Sequence, residues 1–206
     1  MVDPKQISTI SDWLGSGSIN IFGLPFAGKD DQTNRLAKLF NGPKIGSGDI
    51  FRAGITPEIK SYFDKGALMP SSLFVEMVLP YLSQPSLQGK SLLLSSVGRW
   101  YGEEDGVMEV LKESNHPLKA VIYLVVSRED ALMRLNKSKD LKDRGDREDD
   151  DEKLLETRFE EFEQKTMPVI DHYRQLGLLI EIDATKSREQ VQSDILDQLE
   201  LRAKQQ

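Results

Sequence analysis

The chain has 206 residues, of which 38% are hydrophobic and 30% are charged, a balance typical of one α/β domain with a full core. Its net charge of -7 disfavours nonspecific binding to nucleic acid or to a membrane surface, since phosphate contact favours a basic face. The sequence has no cysteine, which excludes disulfides and thiolate zinc sites, and no apolar run of membrane-spanning length. We therefore expect a cytoplasmic protein that binds neither nucleic acid nor membrane.

The first 17 residues precede the first predicted strand. Ile7, Ile10 and Leu14 recur there at helical spacing, which predicts a short amphipathic helix packed on the edge of the sheet. We interpret residues 1–17 as an N-terminal extension and residues 18–206 as one domain.

A glycine-containing loop follows the predicted strand at residues 18–22. Gly23 and Gly28 bound a six-residue span, and Lys29 comes next, as in the front of the phosphate-binding pattern G-x-x-x-x-G-K-[ST]. Such a strand-to-helix turn directs backbone N–H groups and the positive end of a helix at one point, where an anion can bind. The alternative is an ordinary glycine-containing turn. Asp30 takes the place of the pattern's hydroxyl, and carboxylates there repel a polyphosphate unless a metal or a proton intervenes.

Helices predicted at residues 34–40, 56–65 and 73–82 follow the loop. Between the first two, glycines flank Ser47, and we expect Asp49 to cap the next helix. The helix at 73–82 is expected to be capped by Ser71 or Ser72. Arg52, considered alone, is consistent with an ordinary surface arginine.

Three further apolar runs predict strands at residues 91–97, 120–126 and 178–182, with helices between and after them. The alternating order predicts a parallel sheet covered by helices on both faces. Arg99 follows the strand at 91–97, and carboxyl ends of strands are where open α/β sheets bind ligands. Right-handed crossovers would bring the loop, Arg99 and Arg134 to one side of the sheet. This convergence favours phosphoryl transfer.

The ordered set of motifs resembles adenylate kinases and the related nucleoside monophosphate (NMP) kinases. It comprises the loop at 23–32, G-S-G-D-I-F-R, K-G-A-L-M-P, a strand ending in G-R, R-L-x-K, R-x-D-D and T-R-F, and it covers nearly the whole chain after residue 17. The resemblance implies a P-loop three-layer α/β/α sandwich with a parallel sheet. It also implies a small helical NMP-binding insertion at 46–75 and a short lid at 137–150.

The resemblance further implies roles for individual residues, and it implies Mg²⁺ as the cofactor that accompanies ATP. The implied ATP-binding residues are Gly23, Phe26, Ala27, Gly28, Lys29, Asp30, Asp31, Arg134 and Lys186. The implied NMP-binding residues are Ser47, Arg52, Ala67, Leu68, Met69, Gly98, Arg99, Glu103, Arg147 and Arg158. The implied catalytic residues are Lys29, Arg99, Arg134, Arg147 and Arg158.

The chain departs from the family pattern at several of these positions. The family loop has G-K-G-T where this chain has Gly28-Lys29-Asp30-Asp31, and the strand-end aspartate that orients hydrated magnesium is replaced by Ser95. Asp30 or Asp31 would then supply the metal-binding carboxylate from the loop. Glu103 stands where adenylate kinases have a glutamine that reads adenine, and a carboxylate cannot donate to adenine N1 unless it is protonated.

Two hypotheses of function follow. The first is an enzyme that transfers a phosphoryl group from ATP to a nucleoside monophosphate, expected to be AMP, with CMP or UMP as alternatives. The second is a nucleotide-binding regulatory protein whose kinase site has decayed. In either case we expect a monomer.

Overall fold

A computed structural model describes residues 3–141 and 152–205 of the chain. Within these residues five strands form one sheet, in the order β2-β3-β1-β4-β5, and every neighbouring pair is parallel. The strands are β1 (Ser18–Gly23), β2 (Lys44–Gly46), β3 (Leu92–Ser95), β4 (Leu118–Val125) and β5 (Leu179–Asp183). Helices surround the sheet, so the predicted three-layer α/β/α fold with a parallel sheet is confirmed.

The described helices occupy the segments between and after the strands, in the alternation that the sequence predicts. They are α1 (Pro4–Leu14), α2 (Lys29–Leu39), α3 (Ser47–Ala53), α4 (Pro57–Asp64), α5 (Ser71–Met77), α6 (Leu79–Leu82), α7 (Glu103–Glu113), α8 (Arg128–Leu141), α9 (Glu152–Glu161), α10 (Met167–Gln175) and α11 (Arg188–Lys204). A 3-10 turn (Pro85–Leu87) precedes β3, and a π-helical turn (Phe162–Thr166) joins α9 to α10. None of the described helices is long and apolar enough to cross a membrane.

The sequence-based boundaries were wrong in the segment between β1 and β3. The edge strand β2 was missed, because three residues with a lysine at one end and a glycine at the other give no apolar signal. Gly46, and not Asp49, is the N-cap of α3. The helix expected at 73–82 is two helices, and its N-cap is Pro70, so neither predicted serine caps it.

Two clusters of buried apolar side chains hold the layers together. The larger cluster joins β1 and β4 to the helices around them, and it includes Ile10 and Leu14 of α1, which packs against α11. The smaller cluster places Phe51 and Phe74, from the segment between β2 and β3, against Leu92 and Leu94 of the sheet. Burial of this apolar area provides most of the free energy that stabilises the fold.

The strand register brings five segments to one edge of the sheet. Ser95, at the end of β3, pairs with Ile21 of β1 and with Gly46 of β2, while Gly23 pairs with Leu124 of β4. Because all five strands are parallel, the segments that follow them all begin at this edge. The candidate site lies there, as expected for an open parallel sheet.

Candidate active site

The loop between β1 and α2 has the backbone geometry of an anion site. Phe26 and Gly28 both have positive φ, 65° and 94°, and Gly28 is the N-cap of α2. Gly23 is required for a different reason, since a Cβ there would lie 2.9 Å from Cβ of Ala27 and 3.2 Å from the Leu124 carbonyl oxygen. The loop therefore turns tightly, and α2 presents its positive end at Lys29.

The two cations expected at this loop, Lys29 and Arg134, are both in place. Nζ of Lys29 lies 3.5 Å from the Leu24 carbonyl oxygen. Arg134, from α8, donates to the carbonyl oxygens of Phe26 and Ala27 at 3.2 and 3.3 Å, and also to that of Ala184 after β5. Arg134 thus ties the loop to the segment that follows β5.

An open cleft of about 640 Å³ lies between the loop and the start of α11. Its lining combines the loop residues from Phe26 to Asp31 with Arg134 and the segment at 184–188. Lys186 lies in that segment, and its ammonium group pairs with Asp194 at 2.7 Å. The cleft has the size and the cationic lining that a nucleoside triphosphate requires.

Asp30 lies in a hydrogen-bonded network that spans three elements. Ser95 Oγ donates to Asp30 Oδ1 at 3.0 Å, and Nζ of Lys44 lies 3.0 Å from the same oxygen. Burial raises the pKa of Asp30, but Lys29, Lys44 and the Ser95 hydroxyl outweigh it and hold the pKa well below its ordinary range. The carboxylate therefore stays ionised beside the loop.

The two loop carboxylates differ in their fitness for magnesium. Mg²⁺ is commonly held by one or two carboxylates together with substrate phosphates and water. Asp30 fits this role, because it is ionised and lies beside the end of β3. Both carboxylates have a cationic partner, but that of Asp30 is Lys44, from the edge strand beside β3. Asp31 accepts a hydrogen bond from Nε of Arg35 at 2.8 Å, and Arg35 also contacts Glu189 of α11. No cluster of three or more potential metal-ligating side chains occurs within the described residues.

A second pocket, of about 70 Å³, lies on the other side of the end of β3. Its wall is formed by residues from the segment between β2 and β3 and from the segment after β3: Ser47, Gly48, Phe51, Phe63, Ala67, Leu68, Met69, Phe74, Gly98, Arg99, Trp100 and Glu103. Most of the residues expected to bind the monophosphate are in this set. Arg52 lies close to the pocket, paired with Asp49 at 2.8 Å and with its guanidinium 5.5 Å from the ring centre of Phe63.

Arg99 lines this pocket as a partly buried cation. Its Nε is buried and has no hydrogen-bond partner within the part of the chain that the structure describes. Burial lowers the pKa of Arg99 to about 10, and repulsion from Arg158 adds to the shift, against the attraction of Glu161 and Glu103. Two guanidinium groups that repel each other in the absence of an anion form a site that favours one.

Glu103 and Trp100 organise the polar wall of the pocket. Glu103 Oε2 accepts the backbone N–H groups of Arg99 and Trp100 at 2.8 and 3.0 Å, while Oε1 accepts the Ser71 hydroxyl at 2.7 Å. The Trp100 indole N–H donates to the Met69 carbonyl oxygen at 2.8 Å, and Glu161 Oε2 accepts the N–H of Leu68 at 3.1 Å. Hence the backbone groups at 68 and 69 already have partners within the chain.

Lys44, Ser71 and Trp100 are among the residues of the site that the sequence did not indicate. Lys44 and Ser71 carried no signal, because their partners are distant in the sequence. Trp100 carried a weak one, since it is an aromatic residue next to an arginine at a strand end. Conversely, Arg147 and most of the lid segment at 137–150 lie outside the described residues, so their roles stay predictions.

The arrangement places cationic side chains on both sides of the end of β3. Lys29 lies at the loop beside the larger cleft, and Arg99 lines the smaller pocket, where Arg158 acts on its charge. Cationic side chains in such a position can neutralise negative charge.

Comparison with known proteins agrees with this geometry. The family model described as adenylate kinase matches residues 21–178. A protein named adenylate kinase from Methanocella arvoryzae is 31% identical over 205 residues, which covers 85% of this chain and 94% of the relative. Another from Leifsonia xyli is 36% identical over 169 residues, 79% of this chain and 83% of the relative. A third, from Archaeoglobus fulgidus, is 29% identical, over 84% and 93% of the two chains.

Proposed function

The chain belongs to the adenylate kinase family, and we propose that it transfers the γ-phosphoryl group of ATP to AMP to give two molecules of ADP. As a family member the protein is a nucleoside monophosphate kinase, a phosphotransferase. The choice of AMP is supported by the names of its relatives, which are adenylate kinases. The observation that carries the proposal is the pair of cationic pockets on either side of the end of β3.

On the donor side, the larger cleft would take ATP. The loop N–H groups and Lys29 would hold its β- and γ-phosphates, and Arg134 would keep the loop in shape and contact the nucleotide. Lys186 would lie against the adenine. The full proposed set is Gly23, Phe26, Ala27, Gly28, Lys29, Asp30, Asp31, Arg134 and Lys186.

On the acceptor side, the smaller pocket would take the monophosphate. Arg99 and Arg158 would grip its phosphate, Ser47 and Arg52 would assist, and the apolar ring of Phe51, Phe63 and Phe74 would flank its base. The remaining proposed residues are Ala67, Leu68, Met69, Gly98, Glu103 and Arg147.

Catalysis would rest on positioning and on neutralisation of charge, because phosphoryl transfer needs little covalent chemistry from the protein. Lys29 would stabilise charge on the donor phosphates, while Arg99, Arg134, Arg147 and Arg158 would stabilise the transferring group and the acceptor phosphate. Mg²⁺, when bound with ATP, supplies further neutralisation of the phosphate charge. Asp30 is the carboxylate we propose for holding it, in place of the aspartate that the family has at the position of Ser95.

The proposal extends to location and assembly. ATP and nucleoside monophosphates are cytoplasmic metabolites, which supports a cytoplasmic location. Both pockets are lined by residues of one chain, which supports a monomer as the active form.

A coupled assay with ATP, Mg²⁺ and each of AMP, CMP, UMP, GMP and dAMP tests this function. We expect the highest kcat/KM with AMP. If turnover occurs only with another monophosphate, that nucleotide and not AMP is the acceptor. Binding of diadenosine pentaphosphate by calorimetry without turnover of any acceptor would instead support a nucleotide-binding regulatory protein.

A further inference from the structure

The acceptor pocket contains the carboxyl group of Glu103, whose two oxygens differ in how many hydrogen bonds they accept. Glu103 is 8% exposed, and its Oε2 accepts two backbone N–H groups, so both lone pairs of that oxygen are engaged. Over residues 3–141 and 152–205, the one donor to Oε1 is the Ser71 hydroxyl, at 2.7 Å. Any proton that Glu103 takes up therefore belongs on Oε1, and that atom keeps the capacity for one further hydrogen bond.

A second acceptor lies on the same wall. The Met69 carbonyl oxygen receives the Trp100 indole N–H at 2.8 Å and retains one lone pair. Trp100 is itself held in place, with the Lys165 ammonium group 4.1 Å from the ring centre. The pocket thus offers a base one fixed acceptor, the carbonyl, and one group whose character depends on protonation, Oε1.

Nucleotide bases fall into two classes according to whether the ring nitrogen on their base-pairing edge accepts or donates a hydrogen bond. Adenine N1 and cytosine N3 accept a hydrogen bond, whereas guanine N1 and uracil N3 carry a hydrogen and donate one. An ionised carboxylate can only accept, and a neutral carboxyl group can donate through its O–H. A mismatched pair leaves a buried polar group without a partner, which strongly disfavours binding.

We propose that the protonation state of Glu103 selects the class of acceptor base, and this inference rests on the proposed kinase function. The neutral form, with the proton on Oε1, accepts adenine, whose amino group donates to the Met69 carbonyl. The ionised form accepts guanine, whose N1–H donates to Oε1 and whose 2-amino group donates to the Met69 carbonyl. AMP binding to the ionised protein takes up one proton from solvent, and the proton returns to solvent when the product leaves.

The surroundings of Glu103 favour such a titration. Burial raises the pKa of Glu103, and this effect exceeds the opposing hydrogen bonds from Trp100, Ser71 and Arg99 and the charge of Arg99. The other charged groups near the pocket have partners of their own. Glu161 and Lys165 of the α9–α10 region pair with each other, as do Asp49 and Arg52 of α3, while Arg158 acts on Arg99.

The test measures KM and kcat for AMP and GMP from about pH 5 to pH 9. In the native protein we expect KM for AMP to rise by about tenfold per pH unit above the pKa of the free carboxyl group, with little change in kcat. KM for GMP should fall over the same range. Calorimetry in buffers of different ionisation enthalpy should show uptake of about one proton per AMP bound at the upper end.

Two variants separate recognition from a structural role. Glu103→Gln carries a permanent donor, so KM for AMP should no longer rise at the upper end of the pH range, and activity with GMP should be lost. Ser71→Ala removes a donor to Oε1 and should move the midpoint of the AMP profile to higher pH. Glu76→Gln, an exposed change on α5, is the matched control and should leave both profiles unchanged.

An AMP profile that is flat in the native protein, or identical in Glu103→Gln, would overturn the inference. Absence of turnover with AMP at every pH would instead overturn the proposed function, so the two failures are distinguishable.

Discussion

The hydroxyl of Ser95 donates to the carboxylate of Asp30 across 3.0 Å, which joins the end of β3 to the start of α2. Both residues depart from the family pattern, which has aspartate at the position of Ser95 and glycine at that of Asp30. The two departures are therefore adjacent in space, and together they keep one carboxylate at this point. This chain therefore has its carboxylate on the loop, whereas the family pattern has it at the end of the strand.

Mutation can restore the family's residues at both positions, glycine at 30 and aspartate at 95. We expect Asp30→Gly to lower kcat/KM at saturating Mg²⁺ by about 10²-fold, because charge stabilisation at the donor phosphates is lost. Ser95→Asp alone places two carboxylates together and should also reduce activity. The double variant Asp30→Gly/Ser95→Asp should recover most of it, as measured by Mg²⁺ titration of the rate. Asp64→Asn, an exposed carboxylate paired with Lys60, is the control, and a double variant no better than either single one would contradict the idea.

Lys29→Met should slow transfer strongly without loss of the fold. The side chain of Lys29 lies at the first position of α2 beside the loop, and methionine keeps its length and helix propensity but not its charge. We expect kcat to fall by about 10²- to 10³-fold. Lys38→Met, an exposed change in the last turn of the same helix, serves as the control. Circular dichroism and thermal melting should be unchanged in both variants, and a Lys29→Met protein with the kcat of the native protein would exclude the proposed role.

The parts of the site that could be predicted are formed by residues close together in the sequence, and the parts that could not be predicted depend on contacts between distant residues. The loop from Gly23 to Lys29 was predictable, because strand, turn and helix start are consecutive and each residue has a local physical reason. Arg99 was predictable because parallel strands bring their carboxyl ends to one edge. The pairing of Lys44 with Asp30 was not, since it depends on β2, whose three residues give no apolar pattern.

The acceptor pocket shows the same limit. The sequence identified Glu103 as a departure from the family, yet the engagement of Oε2 by backbone N–H groups emerges only from the turn that follows β3. Ser71 was expected to cap a helix, and its hydroxyl instead reaches Glu103. Short polar side chains have many possible partners, and tertiary packing decides among them.

Arg99→Met should increase stability while it abolishes acceptor binding. The folded protein lowers the pKa of Arg99 from its ordinary value to about 10, so the charged form is destabilised in the fold. That cost is present at every pH below about 10 and diminishes as the pH rises above it, since the unfolded chain then holds the proton more tightly. At neutral pH we expect a gain of about 1 kcal/mol, or a Tm rise of about 2–4 °C. Arg99→Lys keeps a charge and should not stabilise; a lower Tm for Arg99→Met would contradict this account.

Tyr173→Phe should also stabilise the protein, without any effect on activity. Tyr173 is fully buried, its ring packs 6.1 Å from that of Phe22, and its hydroxyl has no hydrogen-bond partner among the described residues. Burial raises the pKa of this phenol, so it remains neutral. Removal of an unsatisfied hydroxyl should add about 1 kcal/mol to the free energy of unfolding, measured by urea denaturation. Phe22→Leu, which leaves a cavity beside the same ring, should have the opposite effect.

The pH dependence of stability provides a test of Glu103 that needs no substrate. Its pKa is raised above the ordinary 4.5 in the folded protein, so between these two values the native state binds more protons than the unfolded chain. Stability should therefore fall as the pH rises from about 4.5 through the folded pKa, and the loss should persist above it. Glu103→Gln has no such titration. The free energy of unfolding of the variant relative to the native protein should increase across this window, and a pH-independent difference would show that the fold does not raise the pKa of Glu103.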